Sequence, residues 1–318
     1  MRKLPLTAYI PTIKGLLRNA LRRETVFPFY ASFKLTSRCR FGCRFCNVKS
    51  DPVADLPTED VKAILRNLSR SSILMTSFEG GEPLLRDDIG ELLAYARQCR
   101  FYLLFTTSEK NLAKYPLSEY ARYIDFLHVS IDEEHDNLEL FEQLPWLCVL
   151  PLQVSVQTVV TADTIDRLDD KVRRCHENGA NIVVIPATHM DNTDDRFPDI
   201  ASLERKVREL RIRFPDTIHT PMGYFDAYRK KKCSSATVII APDGHLYYPC
   251  HILNRKGPDL RTTSLMQWLT TREAAIDRKL MSSCRRNCGW YQYYSINSYT
   301  SLRSVKDALK PVMVKKRN

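Results

Sequence analysis

The sequence predicts an α/β fold in which a parallel sheet is wrapped by helices, as a partial barrel or a doubly wound sheet, with a small cysteine-bearing module after it. Three observations carry this expectation. Six apolar, strand-like runs each precede a helical pattern between Phe29 and Phe214. Three cysteines crowd the loop that follows the first of these strands. The alternation stops near Pro221, and four of the ten cysteines lie beyond it.

The first 28 residues form a basic amphipathic arm. A helix opened by Pro11 and running to about Glu24 places Ile10, Ile13, Leu16, Leu17, Ala20 and Leu21 on one arc, with Lys14, Arg18 and Arg22 as an adjoining stripe. Such a helix either lies in a membrane interface or packs its apolar arc on the barrel bottom. "FYASFKLT" is the first strand, and "LPTEDVKAILRNLSR" is a helix with Thr58 as its cap. "SILMTSF" precedes "DDIGELLAYARQC", "FYLLFTTS" precedes a short helix near Leu117–Arg122, and "YIDFLHVSID" precedes a segment near Asn137–Gln143. "LQVSVQTVV" leads to a helix stopped by Gly179, and "NIVVIPATHM" leads to "DIASLERKVRELRIRF". Pro215–Pro221 is the candidate linker, so the expected divisions are an arm over 1–28, a barrel over 29–220, a module over 221–300 and a basic tail over 301–318.

Composition excludes several classes. At 318 residues with 44% hydrophobic and 27% charged residues, the chain has a globular balance, and no apolar run approaches the ~18 residues of a membrane span. Lys14, Arg18, Arg22 and Arg23 interrupt the N-terminal apolar positions, which argues against a secretory signal and for a cytoplasmic location. The ten cysteines are then thiols and metal ligands, not a disulfide framework. A net charge of +11, concentrated at Arg2, Lys3 and the arm and again at Arg303, Lys306, Lys310, Lys315, Lys316 and Arg317, suggests solvated termini or an anionic partner, including the inner face of a membrane.

Cys39-x3-Cys43-x2-Cys46 supplies three thiolates with no local fourth, which suits a [4Fe–4S] cluster with one iron open to another ligand. A zinc site, though zinc favours four ligands in paired spacings, or three unrelated core thiols are the competing readings. The loop, with Phe45 just before the third cysteine, resembles the signature of the radical SAM superfamily, and that resemblance implies a partial (β/α)6 TIM-like barrel with a small C-terminal iron–sulfur module. The family's "GGEP" element is matched by Gly80, Gly81, Glu82 and Pro83 after the second strand. There the backbone and the acidic residue are expected to meet the amino group of S-adenosylmethionine. Ser130 and Asp132 stand where members of the family carry ribose-contacting groups, and adenine contacts are expected around Val156–Thr158 and Val184–Pro186. Thr106, Thr107 and Ser108 depart from the Thr-Asn-Gly-like turn common in the family.

The C-terminal segment resembles SPASM and twitch extensions. Cys233, Gly244 in "DGHLYYPC", Cys250, Cys284 and Cys288 match, and four cysteines suffice for one auxiliary [4Fe–4S] cluster. A structural zinc knot on the same cysteines, with His245 or His251 as a substitute ligand, is the other reading. Cys99, Cys148 and Cys175 are expected to be buried thiols, and Trp290, Tyr291, Tyr293 and Tyr294 to be packing residues.

The resemblance implies an enzyme that reductively cleaves S-adenosylmethionine to a 5′-deoxyadenosyl radical, which abstracts hydrogen from, or adds to, a substrate. An external donor such as ferredoxin or flavodoxin would supply the electron. No residue is singled out as catalytic. "IPTIKGLLRNALRRE", "GHLYYPC" and "CRRNCGW" are similar to elements of adenosylhopene synthases, which leans the substrate toward an isoprenoid or other lipid over a peptide or protein. The alternative is a nucleic-acid-binding metalloprotein with cysteine-ligated structural sites. Against it, the basic residues lack interleaved aromatics.

Overall fold

The computed structural model describes residues 2–46, 48, 52–187, 196–286 and 288–295. The expected basic tail over 301–318 and the end of "NIVVIPATHM" lie outside the described residues. In chain order the first elements are α1 (Leu6–Arg22), β1 (Tyr30–Lys34), α2 (Thr58–Ser69), β2 (Met75–Glu79), α3 (Ile89–Gln98) and β3 (Tyr102–Thr107). They continue with α4 (Leu117–Tyr120), β4 (Phe126–Ser130), α5 (Leu144–Leu147), β5 (Gln153–Val160), α6 (Leu168–Glu177), β6 (Asn181–Pro186) and α7 (Ile200–Arg213). The last are α8 (Gly223–Arg229), β7 (Thr237–Ile240), β8 (His245–Tyr247), β9 (Lys256–Asp259), α9 (Leu265–Trp268), α10 (Arg272–Ser282) and α11 (Tyr291–Ser295). The six predicted strand–helix alternations are present, with the fourth reduced to a 3-10 turn over Leu138–Gln143 and the short α5.

The chain forms two compact units that do not follow linear order. One comprises 1–41, 46–127 and 234–284, and the other 42–45, 128–233 and 285–318. In the first, β3, β2, β1 and β7 are parallel neighbours, and β8 and β9 continue the sheet antiparallel. Its core is built on one face of these strands: Phe33 and Phe78 are register partners in β1 and β2, both buried, with rings edge-on at 6.5 Å. The turn from β7 to β8 is closed by Gly244 N–H donating to the Ala241 carbonyl at 3.0 Å, and Gly244 takes the positive φ of 85° that this turn requires. β7 thus extends the sheet of β1, and the segment 234–284 packs with the first half of the expected barrel.

In the second unit, β5 and β6 run parallel, and Ile218 in the expected Pro215–Pro221 linker bridges in parallel to Ile182 of β6. Gly179 ends α6 with a φ of 70°, as its placement predicts, and Asp199 caps α7 by accepting from Ser202 N–H at 2.9 Å. Thr58 behaves differently from expectation. It is the first residue of α2, after Pro57, and its hydroxyl donates to Asp88 at 2.7 Å instead of capping the helix.

α1 begins at Leu6, earlier than its pattern suggested, and Pro11 sits inside it. Arg2 is largely buried in an ion pair with Asp125 and donates to the carbonyls of Arg97 and Phe101, so it belongs to the fold and not to a solvated terminus. Burial lowers the pKa of Arg2, and Asp125 opposes the shift.

Candidate active site

The loop bearing Cys39, Cys43 and Cys46 leaves the carboxyl end of β1, where ligands of parallel sheets collect. The Gly-Gly-Glu stretch after β2 grips the start of that loop. Gly81 N–H donates to the Thr36 carbonyl and Glu82 N–H to the Arg38 carbonyl, both at 2.8 Å. A Cβ on Gly81 would stand 2.0 Å from the Arg38 carbonyl oxygen, and one on Gly80, whose φ is 133°, 2.7 Å from that of Thr36. Only glycine tolerates this approach. The partner the glycines admit is thus the cysteine loop's own backbone.

The Glu82 carboxyl is buried and accepts three hydrogen bonds: from Thr107 Oγ1 at 2.9 Å, Leu84 N–H at 3.1 Å and Ser108 N–H at 2.8 Å. It therefore joins the end of β2 to the turn after β3, and the Thr-Thr-Ser departure at 106–108 supplies two of the donors. Burial pushes its pKa up to about 7 against those hydrogen bonds, with Glu109 adding to the rise. Pro83 opens the short 3-10 turn that follows.

Arg86 closes the same "GGEPLLR" run, where nothing in the sequence sets it apart. It is buried and donates to the Leu35 carbonyl at 3.1 Å and the Leu56 carbonyl at 2.9 Å, on either side of the cysteine loop, and Asp88 holds it at 2.7 Å.

A second group surrounds Cys43. Asp132 is fully buried, and its carboxylate accepts from His135 N–H at 3.0 Å, His135 Nδ1 at 2.8 Å and Val159 N–H at 3.1 Å. Asn137 fixes the turn by accepting from Asp132 N–H at 3.2 Å and donating to the Ser130 carbonyl at 2.7 Å. The His135 side chain also hydrogen-bonds Cys43. The ring also meets Phe45 edge-on at 5.8 Å. Burial would lower the His135 pKa, but Asp132 and Cys43 outweigh it and raise it to about 10. The carboxylate expected to contact ribose is thus committed to bracing His135. The three-residue spacing in "DEEH" was the available signal for the pair.

The face of β1 and β2 opposite Phe33 and Phe78 is polar. Ser32 pairs in register with Ser77 and Lys34 with Glu79, and both serine hydroxyls donate to Glu79. Lys34 has its pKa lowered by burial, opposed by Glu79 and Cys46, and its ammonium lies 6.0 Å from the Tyr247 ring.

Cys99 and Cys175 are buried as expected while Cys148 is only half-buried, and burial raises the pKa of all three. Cys39, Cys43 and Cys46 keep partial or full exposure, and a loop of three accessible soft donors fits an iron–sulfur group. Among the described residues no group of three or more His, Cys, Asp or Glu is placed to hold a metal ion. Of the C-terminal four, Cys250 is buried and Cys233, Cys284 and Cys288 are half-buried. The aromatic run packs: Tyr291 and Tyr294 lie 5.4 and 6.2 Å from Tyr224, whose hydroxyl donates to the Gly289 carbonyl at 2.9 Å.

Comparison with known proteins agrees with this arrangement. The model of the radical SAM superfamily matches residues 33–230. The PqqA peptide cyclase of Bradyrhizobium diazoefficiens is 25% identical over 301 residues, covering 83% of this chain and 76% of its own. Streptococcus suis SuiB bound to precursor peptide SuiA shares the fold with a TM-score of 0.68 at 17% identity, over 91% of this chain and 77% of that one. The anSMEcpe structure with bound AdoMet and Cp18Cys peptide does so with a TM-score of 0.59 at 15% identity, over 90% and 96%.

Proposed function

Because the chain belongs to the radical SAM superfamily and is an enzyme of that class, using a [4Fe–4S] cluster and S-adenosylmethionine, we propose that it modifies a peptide by radical chemistry. The observation that carries the peptide reading is the relationship, along 83% of this chain, to a protein described as a peptide cyclase. The polar face of Ser32, Lys34, Ser77 and Glu79 supports it, since hydroxyls, an ammonium and a carboxylate suit a peptide's amides and charges better than an isoprenoid. The leaning toward a lipid substrate gains no support from the relatives.

When bound, the cluster and S-adenosylmethionine supply a one-electron cleavage that yields methionine and a 5′-deoxyadenosyl radical. The chain's residues hold and shield that chemistry. Cys39, Cys43 and Cys46 would ligate the cluster. Gly80, Gly81, Glu82 and Pro83 fix the loop's entry and would offer backbone polar groups to the methionyl end, and Ser130 would contact the ribose. Asp132 orients His135, which donates to the Cys43 sulfur, while Phe45 covers the same ring. Cys233, Cys250, Cys284 and Cys288 are the residues that would ligate an auxiliary cluster, and a ferredoxin or flavodoxin would supply the electron.

Anaerobic protein given S-adenosylmethionine and dithionite should form 5′-deoxyadenosine, and replacing Cys39, Cys43 and Cys46 together by alanine should abolish it. Peptides encoded beside the gene should stimulate turnover and change mass. Stimulation by a lipid extract and by none of those peptides would overturn the peptide reading while leaving the enzyme class intact.

A further inference from the structure

We propose that α1 docks on an anionic lipid surface, lying in the plane of the headgroups with its apolar arc toward the acyl chains. The helix is held to its own unit by a face of small and polar residues. Ala8, Thr12 and Gly15 are buried, and Thr12 Oγ1 donates to the Ser72 carbonyl at 2.9 Å. A Cβ on Gly15 would stand 3.0 Å from that of Phe27, and the Asn19 side chain bonds the backbone of Val26 and Phe27. Roughly half a turn away, at about 100° per residue, lie Leu6, Ile10, Ile13, Leu17 and Leu21. With Leu16 they are 46–85% exposed, and they are six of the twelve large apolar side chains exposed among the described residues. The packed and apolar faces are therefore different faces, and folding leaves the apolar one unused.

Charge identifies the occupant. α1 contains no acidic residue, and Lys14 and Arg18 flank the apolar arc with Arg22 beyond them. None of the three has an acidic partner among the described residues. A cleft of about 580 Å³ opens along the same flank, bounded by Thr7 and Pro11 of α1 and by Arg66, Arg70 and Arg100. This combination of an apolar arc and a cationic margin suits phosphate headgroups above acyl chains. The basic segment over 301–318 and a second copy of α1 both repeat the positive charge and do not complement it. Among the described residues no helix is long and apolar enough to cross a membrane, so the contact of α1 is in-plane.

Flotation of the full chain with vesicles of phosphatidylcholine alone, and with phosphatidylglycerol added, tests this without reference to substrate or turnover. The protein should float with the anionic vesicles, less with neutral ones, and less at high salt. Ile13→Ser combined with Leu17→Ser should abolish flotation. Lys14→Gln with Arg22→Gln should weaken it by about five-fold for each charge removed. All four side chains are outside the packed face, so both variants should keep the parent's circular dichroism and melting temperature. Failure of the parent protein to float with anionic vesicles at low salt would overturn the proposal. So would a serine variant that floats as well as the parent, or one that converts a dimer to a monomer in sedimentation without losing flotation, which would assign the face to a second copy.

Discussion

Glu82 is a carboxyl whose surroundings set it against its own charge. Burial raises its pKa from 4.5 to about 7, while the hydrogen bonds from Thr107, Leu84 and Ser108 favour the ionised form and lose. The native state therefore binds a proton that the unfolded chain releases between those values, so this group's stabilising contribution is complete below about 4.5 and is lost as pH rises to about 7. Relative to Glu82→Gln, the parent protein should gain up to ~3 kcal/mol as pH is lowered through that window, read from denaturant melts without S-adenosylmethionine. A difference that stays flat with pH would contradict the burial-driven shift. His135 makes the second residue-scale prediction. A hydrogen bond to a cluster-ligating sulfur favours the reduced, more negative cluster. Losing one worth about 1 kcal/mol lowers a one-electron potential by roughly 40 mV. His135→Phe, which keeps an aromatic edge for Phe45, should show that drop in a redox titration followed by electron paramagnetic resonance, with Asp132→Asn giving a smaller one. Unchanged potentials at full iron content would remove His135 from this role.

At the level of elements, the cysteine loop is positioned by its anchors more than by its own sequence. Arg86 reaches the carbonyls of Leu35 and Leu56, so one guanidinium fixes both margins of the loop while Asp88 neutralises it. Arg86→Met should cost on the order of 3 kcal/mol, because it removes one partner of a buried, hydrogen-bonded pair and orphans both carbonyls. Iron retained after anaerobic reconstitution should fall with it. The motifs of this region were legible because chemistry fixes their spacing: Cys39, Cys43, Cys46 and the Gly80–Pro83 run stand out in one dimension. Arg86 was not, because an arginine after a turn carries no periodic signal, and His135 was signalled only by its three-residue spacing from Asp132; the fold alone shows that one meets Leu35 and Leu56 and the other Cys43. α1 was half legible. Its 3.6-residue period gave the helix and the apolar arc, but the packing face of Ala8, Thr12 and Gly15 reads as polar and small, so the pattern left open whether the arc packs on the barrel or faces outward, and the structure leaves it exposed.

For the whole molecule, linear boundaries and compact units diverge at β7. The alternation of strands and helices suggests that residues 1–220 hold everything a barrel needs, and six of the strands lie there. β1, however, has two parallel neighbours, β2 on one side and β7 on the other, paired from Tyr30↔Thr237 to Phe33↔Ile240. All four residues of β7 are buried, and Phe29 and Tyr30 N–H both donate to the Ala236 carbonyl. A fragment ending at 220 would leave the β1 edge open, an unpaired ladder that other chains can extend. It would also forfeit the burial of Val238, Ile239 and Ile240, about 1.5–3 kcal/mol for each side chain, which together rivals the ~5–15 kcal/mol by which a whole domain is stable. The fragment 1–220 should therefore aggregate or remain protease-sensitive, while the full chain resists digestion through β7. Adding back a separately made 222–318 segment should not restore solubility unless it is present during refolding, since β7 must enter while the sheet forms. A soluble, cooperatively melting 1–220 fragment would show instead that the sheet closes without β7, and that the linear division at Pro221 is also the physical one.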